Sequence, residues 1–265
     1  MTDAEYRKLP GLTATILKAG IKSMLNARHA MTATKDDTPS LRMGRLIHMA
    51  VLEPAAFAKS VTTFHGTRRG KAFDDFCADA EGIEIISPDE RATISEVVSA
   101  IMENADAEPV VAGIQQHEQI LQWTDKRYGY AKCRVDGICA NYWLELKTTR
   151  NVELDAFERQ SAALGYYVQL GWYTLGLAAN NLPTECRIIT VETSAPYDVV
   201  VYRPDDLLIE EGQKKAIEIA TRIRECEASG VWPGVAPGLR VLSLPDRMID
   251  ENVVGKLETM EEGTL

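Results

Sequence analysis

The sequence has no apolar run long enough to cross a membrane. A bilayer core calls for roughly 18–20 consecutive apolar residues. The nearest stretch, "LGYYVQLGWYTLGLAA" at 164–179, falls short of that and carries Gln169. Cysteine is sparse and scattered, at positions 77, 133, 139, 186 and 226, an odd number with no C-x-x-C pair. This pattern suggests neither a zinc site nor a disulfide framework and reads as reduced thiols. The opening "MTDAEYRK" has early acids and no apolar signal core, so a cytoplasmic location is expected. There is no internal repeat.

What remains is the composition of a globular protein, 45% hydrophobic and 26% charged, enough to bury one large core. We expect a single domain over residues 1–240, with 241–265 as an acidic, flexible tail. The net charge of −10 argues by itself against an anionic partner. Its distribution reverses that argument. Residues 1–72 hold 12 Lys and Arg against 5 Asp and Glu, while the rest hold 17 against 34. Two basic clusters stand out, Arg42 with Arg45, and Arg68, Arg69 and Lys71 in "TRRGKAF". Each reads equally as a solvated basic face or as a phosphate contact.

Periodicity and capping signals divide the chain. Thr13 is placed to cap a helix running to about Ala27, and Ser40 to cap another over "LRMGRLIHMAVL". Residues 61–72 read as a loop. Ser87 and Pro88 open a helix over 88–104. From 117 three strands follow, "EQILQWTD", "YAKCRVDGIC" and "YWLELKTT", as an antiparallel meander. A long helix over about 153–179 returns the chain to two further strands, and Pro204 begins a last helix to about Ser229. The fold class expected is mixed α/β, or α+β. Its centre is a mixed sheet flanked by helices, in which the crossover helix makes two strands parallel. The first 72 residues form its basic helical part and 117–230 its core.

The chemistry gathers on the meander. Strand side chains alternate faces, so Leu144 and Leu146 point one way and Trp143, Glu145 and Lys147 the other. Glu145 beside Lys147 is either a cross-face ion pair or the centre of a site. Asp136 ends the preceding strand, which lets two carboxylates meet. Two close carboxylates stay ionised most readily around a divalent cation, and oxygen ligands suit Mg2+ or Mn2+. His48 lies on a helix face with Leu41, Gly44, Val51 and Leu52. It reads as a core histidine or as a ligand, with Gly44 allowing a close approach to another element. Gln169 and Tyr173, four apart, share one helix face, with Ala162 and Gly165 helping that face lie flat on the sheet.

The ordered set His48, Asp136, Glu145-Leu146-Lys147 and Gln169-x-x-x-Tyr173 resembles the PD-(D/E)xK nuclease superfamily in its RecB-like branch. "GLTATILKAGIKSM", "GRLIHMAVLEP", "RVDGI…LELKTT" and "VWPG" are similar to the phage exonuclease VIII, or RecE-type, group. The likeness spans about residues 6–235. Val135 stands in place of the motif's usual proline, and Glu145 where many members carry Asp. The resemblance implies a restriction-endonuclease-like core. It implies metal ligation by His48, Asp136, Glu145 and the Leu146 carbonyl, with Glu118 as a supporting carboxylate. Lys147 would orient the attacking water, and Gln169 and Tyr173 would position the phosphate or Lys147. Further implications are Mg2+-dependent 5′-to-3′ digestion of linear double-stranded DNA, a homo-oligomeric ring and a single-strand annealing partner for recombination. Arg42, Arg45, Arg68, Arg69 and Lys71 become expected DNA contacts. The alternatives are an endonuclease of the same fold and a non-catalytic DNA-binding protein built on it. The cysteine spacing does not supply the iron–sulfur cluster of the CRISPR-associated relatives.

Overall fold

A computed structural model describes residues 3–33, 37–236 and 238–243. Residues Met1–Gly234 form one compact unit and Val235–Leu265 a second. The described part of the second carries no helix or strand, and the expected tail at 241–265 lies almost wholly outside the described residues. Among the described residues no helix is long and apolar enough to cross a membrane.

The N-terminal part is helical: α1 (Asp3–Lys8), α2 (Ala14–Lys22), α3 (Met24–Thr32), α4 (Pro39–Leu52) and α5 (Pro54–Ser60). Thr13 caps α2 as expected, but the helix stops at Lys22. Ser23 adopts extended backbone and its side chain caps α3 instead. Thr38, not Ser40, caps α4, because Pro39 takes the first helical turn. The expected loop at 61–72 contains β1 (Val61–Thr63) and the start of α6 (Lys71–Asp79). After β2 (Glu84–Ile86), parallel to β1, comes α7 (Pro88–Glu103), whose Ser87–Glu90 capping box closes both orphan amides. A short α8 (Ala107–Ala112) follows.

The central sheet has five strands in the order β3 (Gln116–Asp125), β4 (Gly129–Ile138), β5 (Trp143–Thr149), β6 (Cys186–Glu192) and β7 (Val199–Tyr202). The first three make the antiparallel meander, β5 and β6 are parallel, and β7 is antiparallel to β6. The parallel pair requires a crossover, which here is two helices, α9 (Leu154–Leu164) and α10 (Tyr166–Ala179). The single helix expected over 153–179 is broken at Gly165, whose φ of 67° lies in the left-handed region. Gly165 is therefore a hinge between helices and not a flat spot on one, and Ala162 is exposed. The last helix, α11 (Asp206–Ser229), starts just past Pro204 with Asp205 as its cap.

Two apolar cores flank the sheet. One joins α2, α3, α10 and α11 through Leu17, Met24, Trp172 and Ile219 to Trp143. The other joins α4, α5, α7 and α8 through Leu46, Phe57, Ile94 and Val110 to Leu144 and Leu146. The alternation expected along β5 is thus what the packing uses.

Candidate active site

The site sits where the β-ladder fails. Between β4 and β5 only Gly137↔Leu144 and Ile138↔Trp143 pair, so beyond Leu144 the two strands part. On the other side of β4, the β3 register runs His117↔Gly137 and Gln119↔Val135 and skips the position between, Glu118 opposite Asp136. Glu118 takes a φ of 48° there, a conformation that costs a non-glycine residue on the order of 1 kcal/mol or more. Across this skip the apolar face of β4 passes from Ala131, Cys133 and Val135 to Ile138. The strand turns over at Asp136. Backbone groups freed by the split are met by side chains, since Asp136 Oδ2 accepts from Leu146 N–H at 2.8 Å.

Asp136 and Glu145 are both buried at the floor of a cleft of about 2150 Å3 that is also lined by His48, Glu118, Lys147 and Tyr173. Glu145 is 1% exposed. Its Oε1 accepts from Gln169 Nε2 at 2.6 Å and pairs with the Lys147 ammonium. Its Oε2 is buried with no hydrogen-bond partner. An orphaned carboxylate oxygen is expensive unless a cation meets it. Lys147 Nζ lies 3.5 Å from Gln169 Oε1 and 4.8 Å from the centre of the Tyr166 ring.

His48 reaches the same floor from α4. Gly44 sits one turn earlier, where an added Cβ would stand 3.3 Å from Thr148 Oγ1, so the helix lies close to β5 as expected. His48 Nδ1 is 3.6 Å from Asp136 Oδ2. Burial, and then the Lys147 charge, pull the His48 pKa down to about 4, which leaves a neutral imidazole with a lone pair to offer. Burial and then the Asp136 charge push Glu118 up to about 7, against the opposing pull of Arg134, whose Nε lies 2.8 Å from Glu118 Oε2. Burial also raises Asp136 and Glu145. For Lys147 burial works to lower the pKa, but Glu145 and Asp136 override it and raise it. Burial holds the Tyr173 phenol well above its usual range.

Ligand atoms of His48, Glu118 and Asp136 lie within 4.8 Å of one another. This donor set fits a divalent cation: carboxylates held against their own desolvation beside a neutral histidine. The orphaned Glu145 oxygen belongs to a residue lining the same cleft, outside that three-residue cluster. Glu118, expected only as support, stands in the cluster with His48 and Asp136. Lys18 and Tyr166 also belong to the site and went unrecognised in the sequence. Lys18 Nζ donates to Gln169 Oε1 at 3.0 Å across 151 residues of chain. The available signal was a lysine beside the buried Leu17 in "TATILKAG", which identifies no partner.

The expected DNA contacts fall into two groups. Arg42 and Arg45 pair with Glu84, Arg42 and Arg68 with Glu90, and Arg45 also with Asp37. Arg69 and Lys71 are exposed.

Residues 16–241 match the family described as a PDDEXK-like domain of unknown function, DUF3799. The chain belongs to this family. The PDDEXK-like chain matches no curated protein. It is similar to a crystal structure described provisionally as an exonuclease from Eubacterium rectale, with a TM-score of 0.62 at 12% identity, covering 92% of this chain and 95% of that one. A phage-related exonuclease from Haemophilus somnus aligns at a TM-score of 0.35 and 13% identity, over 85% and 99% of the two chains. LHK-Exo in complex with dAMP aligns at 0.28 and 13%, over 70% and 91%. At such identities the first likeness concerns fold alone, and the latter two scores carry no argument. The mixed sheet flanked by helices is that of the PDDEXK-like family, and nucleases of this class use divalent metals.

Proposed function

We propose that the chain is a metal-dependent exodeoxyribonuclease that digests linear double-stranded DNA from 5′ to 3′, leaving single strands for phage-type recombination. The observation that carries this reading is the Glu145 carboxylate: one oxygen tied by Lys147 and Gln169, the other buried and unpartnered, on a residue lining the same cleft as Asp136. Buried carboxylate oxygens are rarely left without a partner, and each that is calls for an explanation such as a bound ion.

His48, Asp136, Glu145 and the Leu146 carbonyl would hold the ion, with Glu118 adjoining, and Mg2+ is the expected occupant with Mn2+ as a substitute. A divalent cation there supplies Lewis acidity toward a phosphoryl oxygen and makes a bound water more acidic. Lys147, fixed by Glu145 and by the Tyr166 ring, orients the attacking water and offsets charge that develops on the phosphate. Gln169 and Tyr173 position the phosphate or Lys147 itself. A ring-shaped oligomer, an annealing partner and a cytoplasmic location belong to the same reading, of which the exonuclease description of the Eubacterium rectale protein supports the exonuclease activity alone.

The test is digestion of linear duplex DNA labelled at one 5′ end, with Mg2+, with Mn2+ and with EDTA, beside a closed circle and Lys147→Ala. The expected result is metal-dependent release of the label from linear DNA alone. Loss of a positioned electrostatic stabiliser slows such chemistry by about 10²–10³-fold, so Lys147→Ala should be nearly inert. Cutting of circles would replace the exonuclease with an endonuclease. No cleavage with either metal would leave a DNA-binding protein on a nuclease scaffold.

A further inference from the structure

We propose that Lys18 is a positioning residue for the metal site, acting through Gln169 to hold the Glu145 carboxylate with one oxygen tied and the other free for the cation. This rests on the metal-site reading above.

An amide can face its neighbours in two ways, and here the neighbours choose. Gln169 Oε1 receives Lys18 Nζ at 3.0 Å and lies 3.5 Å from Lys147 Nζ, while Nε2 donates to Glu145 Oε1 at 2.6 Å. The reverse orientation would set an NH2 group against two ammonium ions and an oxygen against a carboxylate. Lys18, the closer cation, fixes the orientation by a charge-assisted bond. Both ammonium groups also approach the Tyr166 ring, Lys18 at 5.5 Å and Lys147 at 4.8 Å from its centre.

The consequence reaches Glu145. With Gln169 locked, its NH2 and the Lys147 ammonium both engage Oε1. Oε2 is then the oxygen left buried without a partner. Lys18 therefore keeps one defined oxygen available, although α2 contributes no ligand itself. Its position is set by fold packing: α2 belongs to the same core as α10, with Leu17 fully buried in it. Groups that orient a metal ligand through one intermediate typically influence affinity by 10–100-fold when removed. Lys18 is one step further out, so an effect of about tenfold is expected.

The experiment uses the full chain and measures Mn2+ binding directly by calorimetry, alongside the Mg2+ concentration needed for half-maximal cleavage. Lys18→Met should weaken Mn2+ binding about tenfold and raise the Mg2+ requirement in parallel, by a larger factor than any fall in the rate at saturating metal. Lys18→Arg should restore most of the affinity. In a double-mutant cycle, Lys18→Met should add nothing once Gln169 is replaced by Met, because its effect passes through that amide. Should Lys18→Met not fold, Lys18→Leu supplies the same measurement, again without a donor. Wild-type affinity in Lys18→Met or Lys18→Leu, or strict additivity in the cycle, overturns the inference while leaving the nuclease reading intact. A wild-type chain that binds no Mn2+ and cuts no DNA removes both.

Discussion

Replacing Gly171 by Ala should destabilise the protein, whereas the same change at Gly44 should not. Both glycines are in helix interiors, where Gly→Ala gains about 1 kcal/mol of helix propensity. The surroundings decide the sign. A Cβ at Gly171 would lie 2.3 Å from Gly212 C and Gln213 N, and a Cβ at Gly212 would lie 2.0 Å from Tyr167 O. These are backbone atoms of the α10–α11 crossing, so no rotamer change relieves them. Reaching ordinary contact at 3.4 Å requires the helices to separate by about 1.1 Å, along an interface that holds Ala216, Ile219 and Ala220. Overpacking of this kind costs about 1–3 kcal/mol, with the upper end apt when backbone must move. After the propensity gain, a net loss of about 1–2 kcal/mol remains, or about 2–8 °C in Tm for a chain of this size. At Gly44 the sole neighbour is the Thr148 hydroxyl at 3.3 Å, which can rotate away, so the variant should be neutral or slightly more stable. Thermal unfolding followed by circular dichroism, with EDTA present, reads both. Equal shifts for the two variants would refute the claim that backbone crossing, and not helix propensity, governs these positions.

Two further expectations concern charge. Glu118, raised to about 7 from an ordinary 4.5, keeps its proton in the fold. The stability it contributes is full below pH 4.5 and is lost as pH rises through 7. His48, lowered to about 4 from 6.5, runs the opposite way: its contribution is present above 6.5 and lost as pH falls toward 4. Each is on the order of 3 kcal/mol, and the two oppose each other between pH 4.5 and 6.5. Relative to the wild type in EDTA, Glu118→Gln should tilt stability upward with pH and His48→Gln downward; slopes unchanged from the wild type in urea titrations across that range would refute the assignment. Among the basic residues, Arg69→Ala with Lys71→Ala should weaken DNA binding and lower the logarithmic salt slope by about two. Arg68→Ala alone should change it little, because Glu90 already neutralises that guanidinium. A larger effect from Arg68 in fluorescence-anisotropy titrations at two salt concentrations would reverse that order.

Much of this was legible from local chemistry. Period-two alternation along "WLELKTT" separated Leu144 and Leu146 from Trp143 and Glu145, because a strand's faces are set by neighbouring residues alone. The caps at Thr13 and Ser87 were equally readable, since a capping side chain meets an amide three residues away. The order of His48, Asp136, Glu145, Lys147, Gln169 and Tyr173 marked the cleft in which the structure gathers them.

What the tertiary structure decided depends on faces that meet far apart in the chain. Apolar periodicity through "LGYYVQ" reads as one helix. Gly165 breaks it, with its missing Cβ position 2.6 Å from Ile21 Cδ1 of α2. Arg42, Arg45 and Arg68 carry the same charge as Arg69 and Lys71, yet only the fold brings Glu84 and Glu90 to the first three. Glu118 joins the site because the β3–β4 ladder skips at Asp136, and Lys18 because α2 packs against α10. Short-range order is written in the side chains that make it, whereas a charge's partner, and hence its role, is fixed only when distant elements pack together.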